Sequence, residues 1–274
     1  MTLAFVNRIP TKAEFEKFRL ILSTYQDGSG MLAIENGRTL PGWRDFERTV
    51  ATTFNGENQE NKSIFDVLLN DPNRPVKYGI SCKMRSELNR IQKDGRVTIE
   101  LSNSVKEFAD FLETKGIKKS EYVNRPQEVG KGIVELVGKW KNAVSIEQGG
   151  MINVSKSCYL TLMYNDSGFY QLHWFKIDLP NPAELEWYYP EVVKNGQRVI
   201  AGHINGNDKN GGRVFEWYSD SGGQMKYYPL ASSAVWASPI FKLEPIPENV
   251  SKIELCMKAK IYFPEQWQKI SSKF

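Results

Sequence analysis

The sequence predicts an α/β (α+β) fold, in which helices flank a central mixed β-sheet and a β-rich elaboration follows toward the C-terminus. Three observations carry this expectation. Apolar residues recur at helical spacing over 12–25, 43–54 and 126–145. Two short apolar runs either side of the turn NDPNRP read as paired strands, the second being VKYGISCKMR. Beyond Gly149 and Gly150 the texture changes to short alternating runs separated by turns rich in Gly and Asn. No internal repeat or low-complexity linker divides the chain. Residues 1–274 therefore read as a single elaborated domain, with a core over about 12–179 and a β-rich part over about 180–274.

The elements follow in order. Phe15, Phe18, Leu20, Ile21 and Leu22 make the first helix amphipathic, with Thr11 placed to cap it and QDGSG to end it. GRTLPG is a loop. In WRDFERTVATTF, Trp43, Phe46, Val50 and Phe54 form the apolar stripe of a second helix. Glu47 lies beside that stripe, where a carboxylate can look over the rim of the core into a cleft. NGENQENK is a polar break, and SELNRIQKDG is a mobile segment or a short helix. Val97, Ile99 and Leu101 alternate as a strand, which runs into a helix at Val105, Phe108, Phe111 and Leu112 with Glu100 near the junction. Pro126 suits the first turn of a helix whose stripe is Val129, Ile133, Leu136, Val137 and Trp140. NDSG joins two β runs into a hairpin expected to complete the central sheet. RVIAGHI, RVFEWY, QMKYYPL, SPIFKLEPI and SKIELCMKAKIYF read as further strands.

Composition excludes several classes. With 41% hydrophobic and 25% charged residues, the chain has the balance of a soluble globular protein. Its net charge of +4 is compatible with a polyanionic partner. The widely spaced Cys82, Cys158 and Cys256 are an odd number, which disfavours a disulfide scaffold and fits a reducing cytoplasm. No early run resembles a signal peptide and no stretch is long and apolar enough to span a bilayer, so a cytoplasmic protein without membrane attachment is expected. His173 and His203 are the only histidines, too few for a zinc or histidine-metal nuclease centre. His173, inside QLHWFKI, reads as structural. A phosphate loop of the GxxxxGK[ST] type is absent, which argues against ATP-driven action.

The chemistry concentrates in the paired strands. Side chains alternate along a strand, so Ser81 and Lys83 share one face while Ile80, Cys82 and Met84 share the other. Asp66 stands near the start of the neighbouring strand. Taken singly, each is most often an ordinary surface or turn residue. Together they suit phosphodiester hydrolysis, which uses a divalent cation to offset phosphate charge and supply a nucleophilic water. Mg²⁺ takes one or two carboxylates, with water and substrate oxygens filling the rest. Asp66 suits a central ligand, the Cys82 backbone carbonyl a second oxygen, and Lys83 a group that holds the attacking water. Glu47 or Glu100 is placed to reach the metal or its waters.

A helix Glu, an Asp on a strand, an xxK strand and then a helix resemble the PD-(D/E)XK nuclease superfamily. The triplet here is Ser81-Cys82-Lys83, with Ser81 where the family has its second acid. GISCKMR followed by VTIELSNS looks like the branch of type II restriction endonucleases in which SxK stands on the strand and a carboxylate further along replaces the missing one. The resemblance covers Trp43 to Leu112, and Phe65 stands where the family loosely keeps Pro. It implies a restriction-endonuclease-like core. It also implies that Asp66 and Glu100 bind Mg²⁺ and that Lys83 orients water. Glu47 would touch the metal through water and Ser81 would line the site. The departure at Ser81 leaves Glu100 and Glu47 as alternatives for the displaced acid, with Glu87 a weaker third.

The implied substrate is double-stranded DNA, and a homodimer would suit palindromic sites. The loop-like stretch 194–213 offers Lys194, Arg198, Lys209 and Arg213 to DNA, and Arg85 and Arg90 stand just past the catalytic strand. The alternative is a non-catalytic module, in which the Trp- and Tyr-rich second half stacks on sugars or single-stranded bases. In that case Asp66, Ser81 and Lys83 would be scattered in space.

Overall fold

A capping box opens the first helix, α1 (Lys12–Ser23). The Thr11 hydroxyl accepts the Glu14 N–H at 3.2 Å, and the Glu14 carboxylate accepts the Thr11 N–H at 2.8 Å. The second helix, α2 (Trp43–Phe54), starts where the buried Asp45 carboxylate accepts the N–H groups of Gly42 and Met31. These contacts come from a computed structural model, which describes residues 2–34, 38–59, 64–102, 104–247, 257, 260, 261 and 263–271.

The remaining helices are α3 (Leu88–Asp94), α4 (Val105–Thr114), α5 (Pro126–Ala143) and α6 (Pro264–Ser271). Two short pairs stand apart from the main sheets: β1 (Leu32–Ala33) with β2 (Thr39–Leu40), and, later, a two-stranded ribbon. The main sheet is built from β3 (Glu57–Asn58), β4 (Val67–Asn70) and β5 (Lys77–Arg85), with β7 and β8 added after a crossover. Between them β6 (Ile99–Ser102) leaves for a second sheet. β7 (Cys158–Tyr164) lies parallel to β5, and β8 (Phe169–Lys176) folds back on it through the NDSG turn. Parallel neighbours need a long crossover, and residues 86–157 supply it.

The second half adds β9 (Glu186–Tyr188), β10 (Glu191–Lys194), β11 (Gln197–Ile200), β12 (Ile204–Asn207), β13 (Arg213–Trp217), β14 (Met225–Tyr227), β15 (Trp236–Ala237) and β16 (Phe241–Lys242). β15 and β16 both pair with β8, closing a seven-stranded mixed sheet. The second sheet is antiparallel, in the order β6-β14-β13-β12-β9. The architecture is thus mixed α+β, with a central sheet of parallel and antiparallel strands and helices packed on it.

Two cores lie on opposite faces of the main sheet. Phe18, Phe46 and Val50 of α1 and α2 pack on Val67, Ile80 and Leu160. On the other face, Phe65, Tyr159 and Phe175 meet Ile133 and Val137 of α5, which also packs against the second sheet. Helix α5 therefore holds the two sheets together.

The structure departs from the sequence reading in four places. Trp43 was expected in the α2 stripe but is 50% exposed, being the first residue of the helix, while Phe46, Val50 and Phe54 face the core. Leu20 of α1 is likewise exposed. The stretch 194–213, read as loop-like around the RVIAGHI run, is half strand: β10 and β11 form an exposed ribbon joined at Asn195-Gly196, and β12 enters the second sheet. The last expected strand, SKIELCMKAKIYF, is helical at Met257, Lys260 and Ile261, and α6 follows. Residues 251–256, including Cys256, lie outside the described residues. Among those described, no helix is long and apolar enough to cross a membrane.

Candidate active site

The site arises because β5 outruns its neighbour. β4 pairs with β5 only from Lys77 to Ile80, so among the described residues no strand lies beside that edge of β5 beyond Ile80. The chain enters β4 through Asp66, whose N–H donates to the Ile80 carbonyl at 3.0 Å. The Asp66 carboxylate then reaches along the free edge and accepts the Cys82 N–H at 2.7 Å. In a strand the N–H and C=O of one residue leave by the same edge. The Cys82 carbonyl therefore faces the same side as the Asp66 carboxylate.

Ser81 and Lys83 point to one face and Cys82, buried among Ile80 and Leu160, to the other. Both polar side chains meet Asp66: Ser81 Oγ and Lys83 Nζ each lie 3.4 Å from Asp66 Oδ2. The ion pair is about a quarter exposed on each side, so it is open to a ligand at its outer edge.

Asp66 forms the shared wall of two cavities. The first, of about 460 Å³, is lined by Asp66, Ser81, Lys83, Glu100, Lys141 and Tyr159, among others. The second, of about 470 Å³, runs along α2 and is lined by Trp43, Arg44, Glu47, Arg48 and Asp66. Burial, and then the charge of Asp66, push the Glu47 carboxyl up to about 7, against opposing pulls from Lys83, Arg44 and Arg48. Two carboxylates lining one cavity at partial burial repel one another, and a bound cation would relieve that repulsion. Asp66, Glu47 and the Cys82 carbonyl supply hard oxygens, a donor set that suits Mg²⁺ with water completing its shell. No three His, Cys, Asp or Glu side chains cluster for metal binding among the described residues, so most of that shell would be water, backbone and substrate.

Glu100 is placed differently. It stands on β6, in the second sheet, across the first cavity from Asp66. Its Oε1 accepts from Arg85 and, at 2.7 Å, from Gln224. Glu87, the weaker candidate, accepts from Arg85 at 3.0 Å and from the Thr98 hydroxyl. Arg85 and its two carboxylates thus form a strut between β5 and the second sheet.

The other candidate DNA contacts divide in two. Arg90 pairs with Asp94 at 2.8 Å and lies over the Tyr228 ring, and Arg213 pairs at 2.9 Å with the buried Glu216. Both are thus already engaged by partners within the chain, although each side chain is a third or more exposed. Lys194 and Arg198 stand on the exposed ribbon, with a long 3.8 Å pair from Arg198 to Glu191, and Lys209 is exposed in the turn before β13. His173 is buried in β8, and burial lowers it to about 4, so it is a neutral core residue.

Sequence reasoning did not single out Arg44, Arg48, Lys141 or Tyr159. Lys141 is buried, donates to the Tyr159 hydroxyl and to the Ile177 carbonyl at 3.2 Å, and is lowered by burial to about 7. A signal for it existed: Lys141 falls four residues after Val137 and eight after Ile133, on the buried stripe of α5. Tyr159 is the register neighbour of Ser81 across the parallel pair β5–β7, which puts it beside the site.

Glu47 gives the site a measurable signature. A carboxyl raised on folding holds its proton more tightly in the folded chain. Its contribution to stability is complete below about 4.5, the unfolded value, and is lost as pH rises through about 7. In EDTA, the melting temperature of the wild-type chain should fall between about pH 5 and about pH 8 by more than that of Glu47→Gln. Mg²⁺ at the upper end should raise it again, since a ligand bound only to the folded state at a hundred times its Kd adds about 2.7 kcal/mol. Thermal melts of both proteins at both pH values, with and without Mg²⁺, check this. Parallel pH curves would separate Glu47 from the cation site.

No protein-family model, curated protein or solved structure matches the chain.

Proposed function

We propose that the chain is a Mg²⁺-dependent endonuclease that hydrolyses phosphodiester bonds of double-stranded DNA at a specific sequence, as type II restriction endonucleases do. The observation that carries this reading is the meeting of the Asp66 carboxylate and the Lys83 ammonium at 3.4 Å on the free edge of β5. Glu47 faces the same carboxylate from α2. The order of parts follows the resemblance: α2 with Glu47, then β4 entered through Asp66, then β5 with Lys83, then the helices α3 and α4.

In the reaction a water oxygen bonds to phosphorus while the bond from phosphorus to one bridging sugar oxygen breaks. The products are a phosphate monoester and a sugar hydroxyl; the water gives up a proton and the leaving oxygen gains one. Lys83 Nζ holds the attacking water and bonds a non-bridging phosphate oxygen, where its charge counts most as the phosphate crowds. Ionised Glu47 holds a water and accepts its proton. Asp66 and the Cys82 carbonyl would hold the cation. When bound, Mg²⁺ offsets phosphate charge and lowers the pKa of a water.

Of the two acids left open by the triplet, Glu47 fits the displaced role better, since Glu100 is already held by Arg85 and Gln224. Duplex DNA would be gripped by the β10–β11 ribbon, because a two-stranded ribbon fits the major groove. Lys194 and Arg198 give that ribbon its positive charge. A homodimer would place two such sites on a palindrome. The stacking module has less to support it: Trp187, Trp217 and Tyr228 of the second half are buried in the core. The test is a digest of plasmid and phage DNA with Mg²⁺, then with EDTA, followed by sequencing of the ends. Discrete fragments with one common end sequence are expected with Mg²⁺ alone. Intact DNA, or cutting indifferent to EDTA, would overturn the reading.

A further inference from the structure

The α2 side of the site carries groups that hydrolysis itself does not require. Trp43, an indole at the first residue of α2, is half exposed at the mouth of the cavity it shares with Asp66. The Arg44 guanidinium lies over its ring, 4.8 Å from the centroid. Arg48, one turn further on, is exposed in the same cavity, which Glu47 also lines. Among the described residues neither arginine is in an ion pair, unlike Arg85, Arg90 and Arg213. Two cations and a half-exposed indole beside an acidic centre suit a phosphate flanked by an unstacked base. Guanidinium groups bind phosphate oxygens in pairs, and an indole accepts any base by its π-face. A base inside an intact duplex offers no free face.

We propose that Trp43, Arg44 and Arg48 form a subsite for one unpaired nucleotide next to the phosphate held at Asp66, so that the protein unstacks a base of the duplex beside the bond it cuts. This rests on the nuclease reading and names the state of the DNA that the site takes. Trp43 receives the base, and Arg44 and Arg48 bind the phosphate on its far side. Unstacking costs less at a mismatched or bulged position, so DNA with one unpaired base there should bind more tightly than perfect duplex.

The experiment uses the full chain carrying Lys83→Ala, so that DNA is bound with Mg²⁺ present but not cut. Two labelled duplexes span the cleavage site mapped with the wild-type protein, one fully paired and one with a single unpaired base beside the cut. Anisotropy titration should show about tenfold tighter binding to the second, the scale of one base–aromatic stack. Adding Trp43→Ala should erase that preference, and Trp43→Phe should keep it. Adding Arg48→Ala instead should weaken both duplexes alike and reduce the salt slope by about one. Equal affinity for the two duplexes, or an equal loss on both from Trp43→Ala, overturns the subsite while the nuclease reading stands. A change of oligomeric state in Trp43→Ala by light scattering also overturns it, by assigning the indole to a contact between copies. A wild-type chain that cuts no DNA removes the nuclease reading and this subsite with it.

Discussion

Lys83→Ala should leave a folded protein that binds DNA and Mg²⁺ but cuts at least about a thousandfold more slowly, since a positioned water-activating group and its charge on the phosphate are lost together. The fold should tolerate the change. The Lys83 side chain is a quarter exposed, and its partner Asp66 keeps the Cys82 N–H at 2.7 Å. Exposed or half-exposed pairs contribute little to stability, about 1 kcal/mol at most. The check is a time course of plasmid cleavage beside a thermal melt. Near-native cutting by a folded Lys83→Ala protein would remove the proposed chemistry. Asp66→Asn makes a useful companion. The amide oxygen can still accept the Cys82 N–H, so the local backbone is kept while the charge that would hold the cation is gone. Cleavage should fall as far as in Lys83→Ala, and excess Mg²⁺ should recover part of it.

What the sequence revealed of this site follows from the reach of each signal. Strand alternation is local, so Ser81 and Lys83 on one face and Cys82 on the other could be read from a few residues. The short turn at 71–76 makes β4 and β5 neighbours, which brings Asp66 to the edge of β5. Helices α1, α2 and α5 were legible because their apolar residues repeat over three turns or more. Non-local pairing was not legible. β6 was legible as a strand but its partner was not: it pairs with β14 from far downstream, which sets Glu100 in the second sheet while it still lines the cavity with Asp66. The ribbon at Glu191–Ile200 was legible only in its second strand, inside RVIAGHI; with both faces exposed, Val192 and Val193 stand side by side, so the first strand carries no period-two signal. Lys141 was missed for the opposite reason: a charged residue on an apolar stripe is easily assigned to the rim, whereas its long stem lets it be buried and bonded to the Tyr159 hydroxyl. Trp43 shows the converse, a large apolar residue left in solvent at a helix start.

Gly79→Ala should damage stability and catalysis together, whereas Gly130→Ala should damage stability alone. Gly79 is the third residue of β5, and a methyl group there would sit 2.2 Å from Cγ of the Phe65 ring. Phe65 is fully buried and immediately precedes Asp66. The ring fills the space that the missing side chain of Gly79 leaves, so it fixes where the next carboxylate emerges. In a packed central strand the ring has to move, at a cost of about 1–3 kcal/mol for overpacking. Asp66 moves with it, and a displacement of about 1 Å at a reacting centre can cost about a hundredfold in rate. Gly130 of α5 is as crowded: its added methyl would meet the Trp187 indole at 2.0 Å, where the helix packs on the second sheet. The overpacking cost there should be similar, but Trp187 stands on β9, the edge strand of the second sheet, whereas Asp66 enters the main sheet. Melting temperature and the cleavage rate per folded molecule, measured on both variants well below their melting points, separate the two outcomes. Equal activity in the two proteins would mean that Phe65 does not aim Asp66, and that the carboxylate is held by its bond to Cys82 alone.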